Sequence, residues 1–308
     1  MNTNKLFDVI IIGAGPAGLS SAIYTGRAKL NTLVLEKSMP GGQILLTDWV
    51  ENYPGFPEGV APFPLVEDFR KQAEKFGAEI ETAEVNRVDK QDNHWQIVCG
   101  ETKYLTQALI IATGSNYRKL EVPGEKELTG RGVSYCATCD GAFFRDKTVG
   151  VAGGGSLALT EAVFLTKFAR EVKLIHRRAQ FRGEKILQDR ATRNDKISFV
   201  LDTIIEKING DEKLASLTIK DVKTKKVSEL RLDGIFISVG MNPNTGFLNS
   251  LLDLNEKGEI TVTKGMATSK PGIYAAGDVT DACSKQVATA VGSGVEAAIA
   301  ADEYIENM

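Results

Sequence analysis

The stretch Val9-Ile-Ile-Ile-Gly-Ala-Gly-Pro-Ala-Gly18 decides the fold of this chain. An apolar run typical of a buried parallel strand leads directly into closely spaced glycines, and residues 16–27 have helical character. Residues 32–36 read as a second strand, which completes a strand–helix–strand unit with its glycines at the first turn. Such a turn directs backbone N–H groups toward a pyrophosphate, so the pattern predicts a dinucleotide-binding site.

The same pattern occurs a second time, over residues 147–176. Its glycine turn is Gly153-Gly-Gly-Ser-Leu-Ala158, and in both copies the first glycine lies 23 residues before the end of the second strand. A repeated spacing of this kind indicates a duplicated fold. We therefore predict an α/β protein with two Rossmann-like, three-layer domains.

Two later strand-like runs end in glycine turns, at Gly114 and at Gly240. Each is followed by a segment punctuated by proline, Val122–Glu125 and Met241–Asn244, which is typical of a hinge. The second domain is therefore predicted to be inserted into the first. The predicted boundaries are 1–117 with 246–308 for the first dinucleotide-binding domain, and 118–245 for the inserted second one.

Composition excludes several classes of protein. The 308 residues are 25% charged and 43% hydrophobic with a net charge of −3, so no basic surface for nucleic acid or anionic membrane is indicated. No apolar run approaches the ~20 residues of a membrane helix, and the N-terminus lacks the pattern of a signal peptide. We expect a cytoplasmic protein.

The cysteines indicate redox chemistry. Four are present, and two of them are separated by two residues in Cys136-Ala-Thr-Cys139-Asp140. So few cysteines form no disulfide framework, so a close pair is redox-active or metal-binding. A disulfide between them would accept two electrons, and Asp140 would serve as general acid or base for the protons. Cys99 is expected to be a core thiol, whereas Cys283 is either a loop thiol or a neighbour of the cofactor.

The alternatives for the pair are a metal site and a structural disulfide. Zinc usually takes four Cys or His ligands, and the chain has no second Cys-x-x-Cys and only His94 and His176. An inert disulfide is disfavoured in a reducing cytosol. Redox catalysis is the favoured interpretation, and no metal is predicted.

The ends of the two second strands distinguish the nucleotide sites. Glu36 would accept hydrogen bonds from ribose hydroxyls and repel a 2′-phosphate, which suits FAD or NAD. The equivalent position in the second copy opens His176-Arg-Arg178, with Arg182 following. Guanidinium groups bind phosphate, so this cluster predicts NADPH rather than NADH. The alternative is a solvated basic turn.

Taken together, several motifs resemble those of the low-molecular-weight, FAD-dependent thioredoxin reductases, over nearly the whole chain. The motifs are Gly13–Gly18, Gly41-Gly42-Gln43, Glu51–Gly55, Ala112-Thr113-Gly114, Cys136–Gly141, His176–Arg182 and Gly277-Asp278. The resemblance implies a homodimer whose two domains rotate against each other. The disulfide would then meet the flavin in one orientation, and the dithiol would meet thioredoxin in the other.

The resemblance also implies roles for residues. By motif position, Cys139 corresponds to the flavin-proximal thiol, Cys136 to the thiol that attacks the partner disulfide, and Asp140 to the acid–base residue. The implied FAD contacts are Gly13, Gly15, Pro16, Ala17, Gly18, Glu36, Lys37, Gly42, Gln43, Asn52, Val85, Ala112, Thr113, Gly114, Gly277, Asp278, Lys285, Gln286, Val287 and Ala288. The implied NADPH contacts are Gly153, Gly155, Ser156, Leu157, His176, Arg177, Arg178 and Arg182.

The chain departs from the family pattern at two places. Where members of that family usually have Gly-Gly-Gly-Asp-Ser-Ala, this chain has Gly-Gly-Gly-Ser156-Leu157-Ala158. The usual Arg-Gln after the Gly-Asp motif is Lys285-Gln286 here. Ser156 is expected to cap the helix N-terminus, whereas Leu157 removes a small polar group near the pyrophosphate. Two alternatives therefore stay open. One is the same flavin and dithiol chemistry with NADH, ferredoxin or a deazaflavin as donor, and the other is a non-catalytic redox sensor.

Overall fold

The computed structural model describes residues 5–46 and 49–308, which form seventeen β-strands and seven α-helices. The strands are β1 (Lys5–Ile12), β2 (Thr32–Glu36), β3 (Glu79–Thr82), β4 (Arg87–Gln91), β5 (His94–Cys99), β6 (Thr102–Ile111), β7 (Ser115–Tyr117), β8 (Val133–Ser134), β9 (Thr148–Gly153), β10 (Glu171–Ile175), β11 (Ile197–Val200), β12 (Thr203–Gly210), β13 (Leu214–Asp221), β14 (Val227–Arg231), β15 (Gly234–Ser238), β16 (Met241–Pro243) and β17 (Ile273–Ala275). The helices are α1 (Pro16–Arg27), α2 (Pro62–Lys75), α3 (Glu125–Leu128), α4 (Ala137–Asp140), α5 (Ser156–Leu165), α6 (Lys185–Thr192) and α7 (Val287–Glu306).

The chain divides into two compact units. The first comprises the residues up to Asn116 together with Asn242–Met308, and the second is Tyr117–Met241. The chain returns to the first unit between Met241 and Asn242, four residues before the predicted boundary at 245/246. The reason is that Asn244 is tied to the first unit: its N–H donates to Gly114 O (2.9 Å) and its Nδ2 to Thr113 O (2.8 Å).

The first unit is built on a sheet with the order β3-β2-β1-β6-β5-β4. The pairs from β3 to β6 are parallel, and β4, β5 and β6 pair antiparallel. Strand β6 is long enough to pair with β5 along its first half and with β17, in parallel, along its second half. The apolar runs of β1 and β6 are buried on both faces, as expected of central parallel strands.

Helices cover one face of this sheet. Alternate residues of β1 such as Val9 and Ile11 pack in a core cluster with α1, α2 and α7. The intervening residues, such as Ile10, pack on the other face against side chains that include Leu248 and Leu252. The period of two along a strand therefore divides the core of this unit into two layers.

The second unit has three layers. Its central sheet has the order β11-β10-β9-β15-β8, and every pair is parallel. One core cluster joins this sheet to α5 and α6, and another joins its opposite face to the antiparallel sheet β12-β13-β14. The prediction of an α/β protein with two parallel-sheet units is confirmed.

The repeated strand–helix–strand pattern predicts a helix over residues 156–169, whereas α5 ends at Leu165. Beyond Leu165 the bonds shorten to i+3 to i, with Thr166 N donating to Val163 O (3.2 Å) and Phe168 N to Leu165 O (3.0 Å), before Ala169 N closes the turn on Leu165 O (2.8 Å). Such bonds tighten the last turn and terminate the helix. Among the described residues, none of the helices combines the length and apolar character that a membrane span requires.

The packing of α1 on α7 generates a stability prediction. Backbone meets backbone at Gly294, where an added Cβ would lie 2.2 Å from Ala17 O, and the Ser21 hydroxyl donates to Gly294 O (2.8 Å). Gly294→Ala should therefore force the helices apart and cost about 1–3 kcal/mol. Gly292→Ala, in the same helix with nothing within 4 Å of its Cβ, should be neutral or stabilising by up to ~1 kcal/mol.

The measurement is the thermal unfolding midpoint of both variants and the parent protein at one concentration, with far-ultraviolet circular dichroism as the signal. A midpoint for Gly294→Ala equal to that of Gly292→Ala would show that the close helix crossing does not contribute to stability.

Candidate active site

The glycine turn of the first unit joins β1 to α1 by direct backbone contact. An added Cβ at Gly18 would lie 1.8 Å from Gly13 O, so a side chain here would push the helix off the strand. Gly15 is the N-cap of α1 and provides no side-chain cap. The first N–H groups of the helix are thus left for a ligand, which is the arrangement that binds a pyrophosphate.

Glu36 lies at the end of β2 and contacts this turn. Its Oε2 accepts from Ala14 N (2.8 Å) and its Oε1 from Ser38 N (3.1 Å). A cavity of about 260 Å³ adjoins the carboxylate. Five of the predicted FAD contacts line this cavity: Gly13, Glu36, Lys37, Val85 and Thr113.

A second group of predicted FAD contacts surrounds the start of α7. Asn52 Nδ2 donates to Gln286 Oε1 (2.9 Å), and Gln286 caps α7 through a reciprocal pair of hydrogen bonds with Thr289. Gln43 Oε1 is buried and finds no hydrogen-bond partner among the described residues. A buried acceptor without a donor is rare in native proteins, so this atom fits a site that a polar ligand completes.

Asp278 follows the end of β17 and is half-buried. Burial raises the pKa of its carboxyl above the usual value, while Lys285 and Cys283 oppose that shift. The Lys285 ammonium donates to Glu259 Oε1 (3.0 Å) and to Asp278 O (3.3 Å), so protein oxygens fix the position of this side chain. The thiol of Cys283 lies 3.9 Å from Asp278 Oδ1, which places it among the predicted FAD contacts.

The other predicted FAD contacts also lie in the first unit. They belong to the glycine turn and the start of α1, the short 3-10 helix after residue 41, the end of β6, the segment after β17, and the first turn of α7. These residues are Pro16, Ala17, Gly42, Ala112, Gly114, Gly277, Val287 and Ala288. The donor and acceptor set of this unit fits a dinucleotide with a flavin.

The glycine turn of the second unit resembles that of the first, but its helix begins with Ser156 where α1 begins with Pro16. Gly155 is the N-cap of α5 without a side-chain cap, and Ser156 is the first helical residue. The Ser156 hydroxyl accepts from Glu184 N (3.1 Å) and does not cap the helix, so the predicted capping role is wrong. Leu157 is exposed on the first turn. The helix N–H groups are again left for a ligand.

The basic segment after β10 folds against this turn. The His176 ring fills the space that a Cβ at Gly154 would need, and its Nε2 is buried without a partner among the described residues. Burial lowers the pKa of His176, helped by the neighbouring arginines. Arg182 N donates to Gly154 O (2.7 Å), and the side chains of Arg177, Arg178 and Arg182 are exposed. The segment therefore combines a dinucleotide turn with three cations, which fits a nucleotide carrying an extra phosphate.

Cys136 and Cys139 form a disulfide, with Cα atoms 5.4 Å apart. Cys136 is the half-buried N-cap of α4, its Sγ accepts from Cys139 N (3.2 Å), and Cys139 is exposed. The Ser134 hydroxyl donates to Asp140 Oδ2 (2.7 Å) and accepts from Cys136 N (3.1 Å). A serine thus connects the predicted acid–base residue to the backbone of the redox pair.

The described residues contain no group of three or more His, Cys, Asp or Glu side chains arranged to hold a metal ion.

Sequence reasoning missed the buried carboxyl of Glu161, which lies beside this disulfide. Its Oε1 accepts from Ala137 N (3.3 Å), and the Ser238 hydroxyl donates to its Oε2. Burial raises its pKa to about 7, while both hydrogen bonds oppose the rise. The available signal was an acidic residue in a helical segment, Ala158–Leu165, whose other residues are apolar except for Thr160.

The chain is similar to known proteins over nearly its whole length. The family model for pyridine nucleotide-disulphide oxidoreductases matches residues 7–294. A protein of Bacillus subtilis named thioredoxin reductase is 43% identical over 309 residues, covering 100% of this chain and 98% of that protein. A Treponema pallidum protein of the same name is 44% identical, covering 98% of each chain. A crystal structure of Lactococcus lactis thioredoxin reductase superposes with a TM-score of 0.95 at 42% identity, covering 98% of this chain and 100% of the other.

The match to the family spans nearly the whole chain, including both glycine turns and the disulfide. It shows that the protein is an oxidoreductase, and it implies a flavin and a pyridine nucleotide as cofactors. The chain belongs to the pyridine nucleotide-disulphide oxidoreductase family.

Proposed function

We propose that this enzyme reduces the disulfide of thioredoxin or of a thioredoxin-like protein, with NADPH as donor and FAD as the bound flavin. The observation that carries the proposal is the Cys136–Cys139 disulfide, held in the same unit as a glycine turn with three arginines. The names of the relatives support the substrate. Bound FAD would supply the conversion of a hydride from NADPH into two electrons for the disulfide.

The first unit supplies the residues that would hold FAD. The first turn of α1 would take the pyrophosphate, and Glu36 would accept from the ribose of the adenosine half. Gln43, with its buried acceptor, and Asp278, at the end of β17, would bind the polar groups of the flavin half. The positive end of α7, a helix of 20 residues, is suited to negative charge that develops on reduction.

In the second unit the disulfide takes up two electrons and two protons and becomes a pair of thiols. Loss of a proton from Cys136 gives a thiolate, which attacks the substrate disulfide and forms a mixed disulfide. Cys139 then displaces the reduced substrate, and the Cys136–Cys139 bond is restored. Asp140 would move the protons, and its bond to Ser134 orients the carboxyl beside Cys136.

The three arginines are proposed to make the enzyme selective for NADPH over NADH. Their exposed guanidinium groups follow β10, where the second dinucleotide site would place the adenosine ribose. A 2′-phosphate on that ribose would gain charge-assisted hydrogen bonds that NADH lacks. Gly153, Gly155, Ser156 and Leu157 would face the pyrophosphate, and His176, with its buried Nε2, supports the turn from beneath.

We further propose a cytoplasmic homodimer, in keeping with the resemblance of the motifs. The rotation of one unit against the other that this resemblance implies stays a prediction, as do the individual cofactor contacts.

Rapid mixing of the FAD-loaded protein with each donor tests the proposal. NADPH should bleach the flavin absorbance within the time of a turnover, and NADH and reduced ferredoxin should do so far more slowly. Steady turnover with thioredoxin and a disulfide dye should follow. Fast bleaching by reduced ferredoxin alone would show that ferredoxin, and not NADPH, is the donor. Bleaching without turnover would indicate a redox sensor.

The Cys136→Ser variant separates flavin reduction from disulfide exchange. NADPH should still reduce its flavin at the parental rate, because neither nucleotide site is changed. Turnover with thioredoxin should fall at least ~10³-fold, since the attacking thiolate is gone. The matched control is Cys99→Ser, because burial and Glu81 raise the pKa of that thiol to about 11 and keep it unreactive. Retained turnover in Cys136→Ser would disprove its role.

Replacement of Arg177 and Arg178 by alanine tests the choice of donor. The double variant should raise KM for NADPH about tenfold or more, because two charged contacts to a phosphate are lost, and leave KM for NADH nearly unchanged. The control is Arg193→Ala, an exposed arginine beyond α6. Equal losses for both nucleotides would show that the segment does not bind the 2′-phosphate.

A further inference from the structure

Glu161 is a charged residue in a place where charge is costly. The residue is 7% exposed and lies on α5, whose apolar side chains form a core cluster with the parallel sheet of the second unit. Among the described residues it forms no ion pair. An unpaired carboxyl is expensive to bury, and such groups concentrate at functional sites. This carboxyl lies outside the sites assigned from the sequence.

The two oxygens of Glu161 connect two functional elements. Oε1 accepts from Ala137 N (3.3 Å), the peptide N–H that follows Cys136 directly. Oε2 accepts from the hydroxyl of Ser238, the last residue of the central strand β15. Because the Ala137 nitrogen is bonded to the carbonyl carbon of Cys136, the carboxyl contacts the backbone that directly adjoins the redox pair.

We propose that Glu161 is a positioning residue for the redox pair: it fixes the Ala137 amide, and its ionised form disfavours a thiolate on Cys136. The inference rests on the proposed role of Cys136 and Cys139 in disulfide exchange. Reduction adds two electrons and two protons, and the attacking thiolate forms when one proton leaves Cys136. The Cys139 N–H, 3.2 Å from Cys136 Sγ, favours that loss, and a negative charge on Glu161 opposes it.

The charge on Glu161 changes near neutral pH, because burial raises its pKa to about 7. Tyr117 on β7 interacts with it electrostatically and stays neutral, since burial and then Glu161 raise its pKa to about 12. On α4, Asp140 is bonded to Ser134. The strands β9 and β15 carry no ionisable side chain. The remaining charged groups on elements packed against α5 are the pair Glu171 and Lys173 on β10, and the exposed Lys185, Asp189 and Arg190 on α6.

The test is the alkylation rate of Cys136 as a function of pH. The full-length, FAD-containing protein is reduced with dithiothreitol, desalted without oxygen and treated with iodoacetamide. Mass spectrometry of peptides then separates Cys136 from the other three cysteines. The parent protein should show an inflection near pH 7, where Glu161 ionises, in addition to that of the thiol.

In Glu161→Gln the amide keeps the size of the side chain but cannot ionise, so the inflection near neutral pH should be absent. Around pH 8 its Cys136 should react about threefold to tenfold faster than in the parent, because the opposing charge is gone. Near pH 5.5 the two rates should converge, since Glu161 is then protonated. Glu206→Gln, which removes a carboxyl paired with Lys220 in the same unit, is the matched control and should follow the parent.

Ser238→Ala supplies a second variant without altering Glu161. The Ser238 hydroxyl lowers the pKa of Glu161, so its removal should move the inflection to higher pH and speed alkylation near pH 7.

Thermal unfolding checks the same titration independently. A folded pKa of about 7 against the ordinary 4.5 means that ionisation destabilises the parent as pH rises between these values. The thermal unfolding midpoint of Glu161→Gln, relative to that of the parent, should therefore increase as the pH rises across this range.

Superimposable alkylation profiles for Glu161→Gln and the parent, in proteins with equal flavin content, would overturn the inference. An inflection in Ser238→Ala at the parental pH would also overturn it. The profile requires neither NADPH nor thioredoxin. A failure of the proposed donor or substrate would therefore appear in the rapid-mixing experiment and leave these profiles unchanged.

Discussion

The structure depends on the close approach of a helix to the strand that precedes it. At Gly18 the backbone of α1 comes so near to Gly13 that an added Cβ would lie 1.8 Å from its carbonyl oxygen. This contact brings the start of the helix to the end of the central strand β1. The unpaired N–H groups of the helix then lie beside Glu36, at the end of the next strand. The places proposed for the pyrophosphate and the adenosine ribose of the first nucleotide follow from this geometry.

The second unit uses the same constraint for a different purpose. Its glycine turn again brings a helix start to the end of a central parallel strand, where an added Cβ at Gly153 would lie 2.3 Å from Ser238 O. Ser238 ends the neighbouring strand β15, and its hydroxyl binds Glu161 on the helix that the turn begins. The carboxyl of Glu161 then reaches the amide after Cys136. The turn proposed to bind the second nucleotide is thus connected, through Ser238 and Glu161, to the segment that carries the disulfide.

Backbone patterns explain how much of this the sequence could predict. Strand β2 and helix α1 have the predicted bounds, because buried apolar runs and glycine turns are local signals. The Cys136–Cys139 disulfide and the position of Glu36 also follow from local spacing. The bond between Ser156 and Glu184, by contrast, joins residues 28 positions apart, and so the expected capping role was wrong. The bonds of Asn244 to Thr113 and Gly114 likewise join residues far apart in sequence.

Glu161 illustrates the limit most clearly, because its burial depends on residues far from it in sequence. Ser238 is 77 positions away and Ala137 is 24 positions away. A leucine at position 161 would avoid the cost of burying a carboxyl, but it would leave the Ala137 amide and the Ser238 hydroxyl without acceptors, and each such loss costs ~1–3 kcal/mol. The carboxyl therefore satisfies two buried donors. The same charge that satisfies them opposes a thiolate on Cys136, so the stability of this segment and the reactivity of its thiol are set by one group.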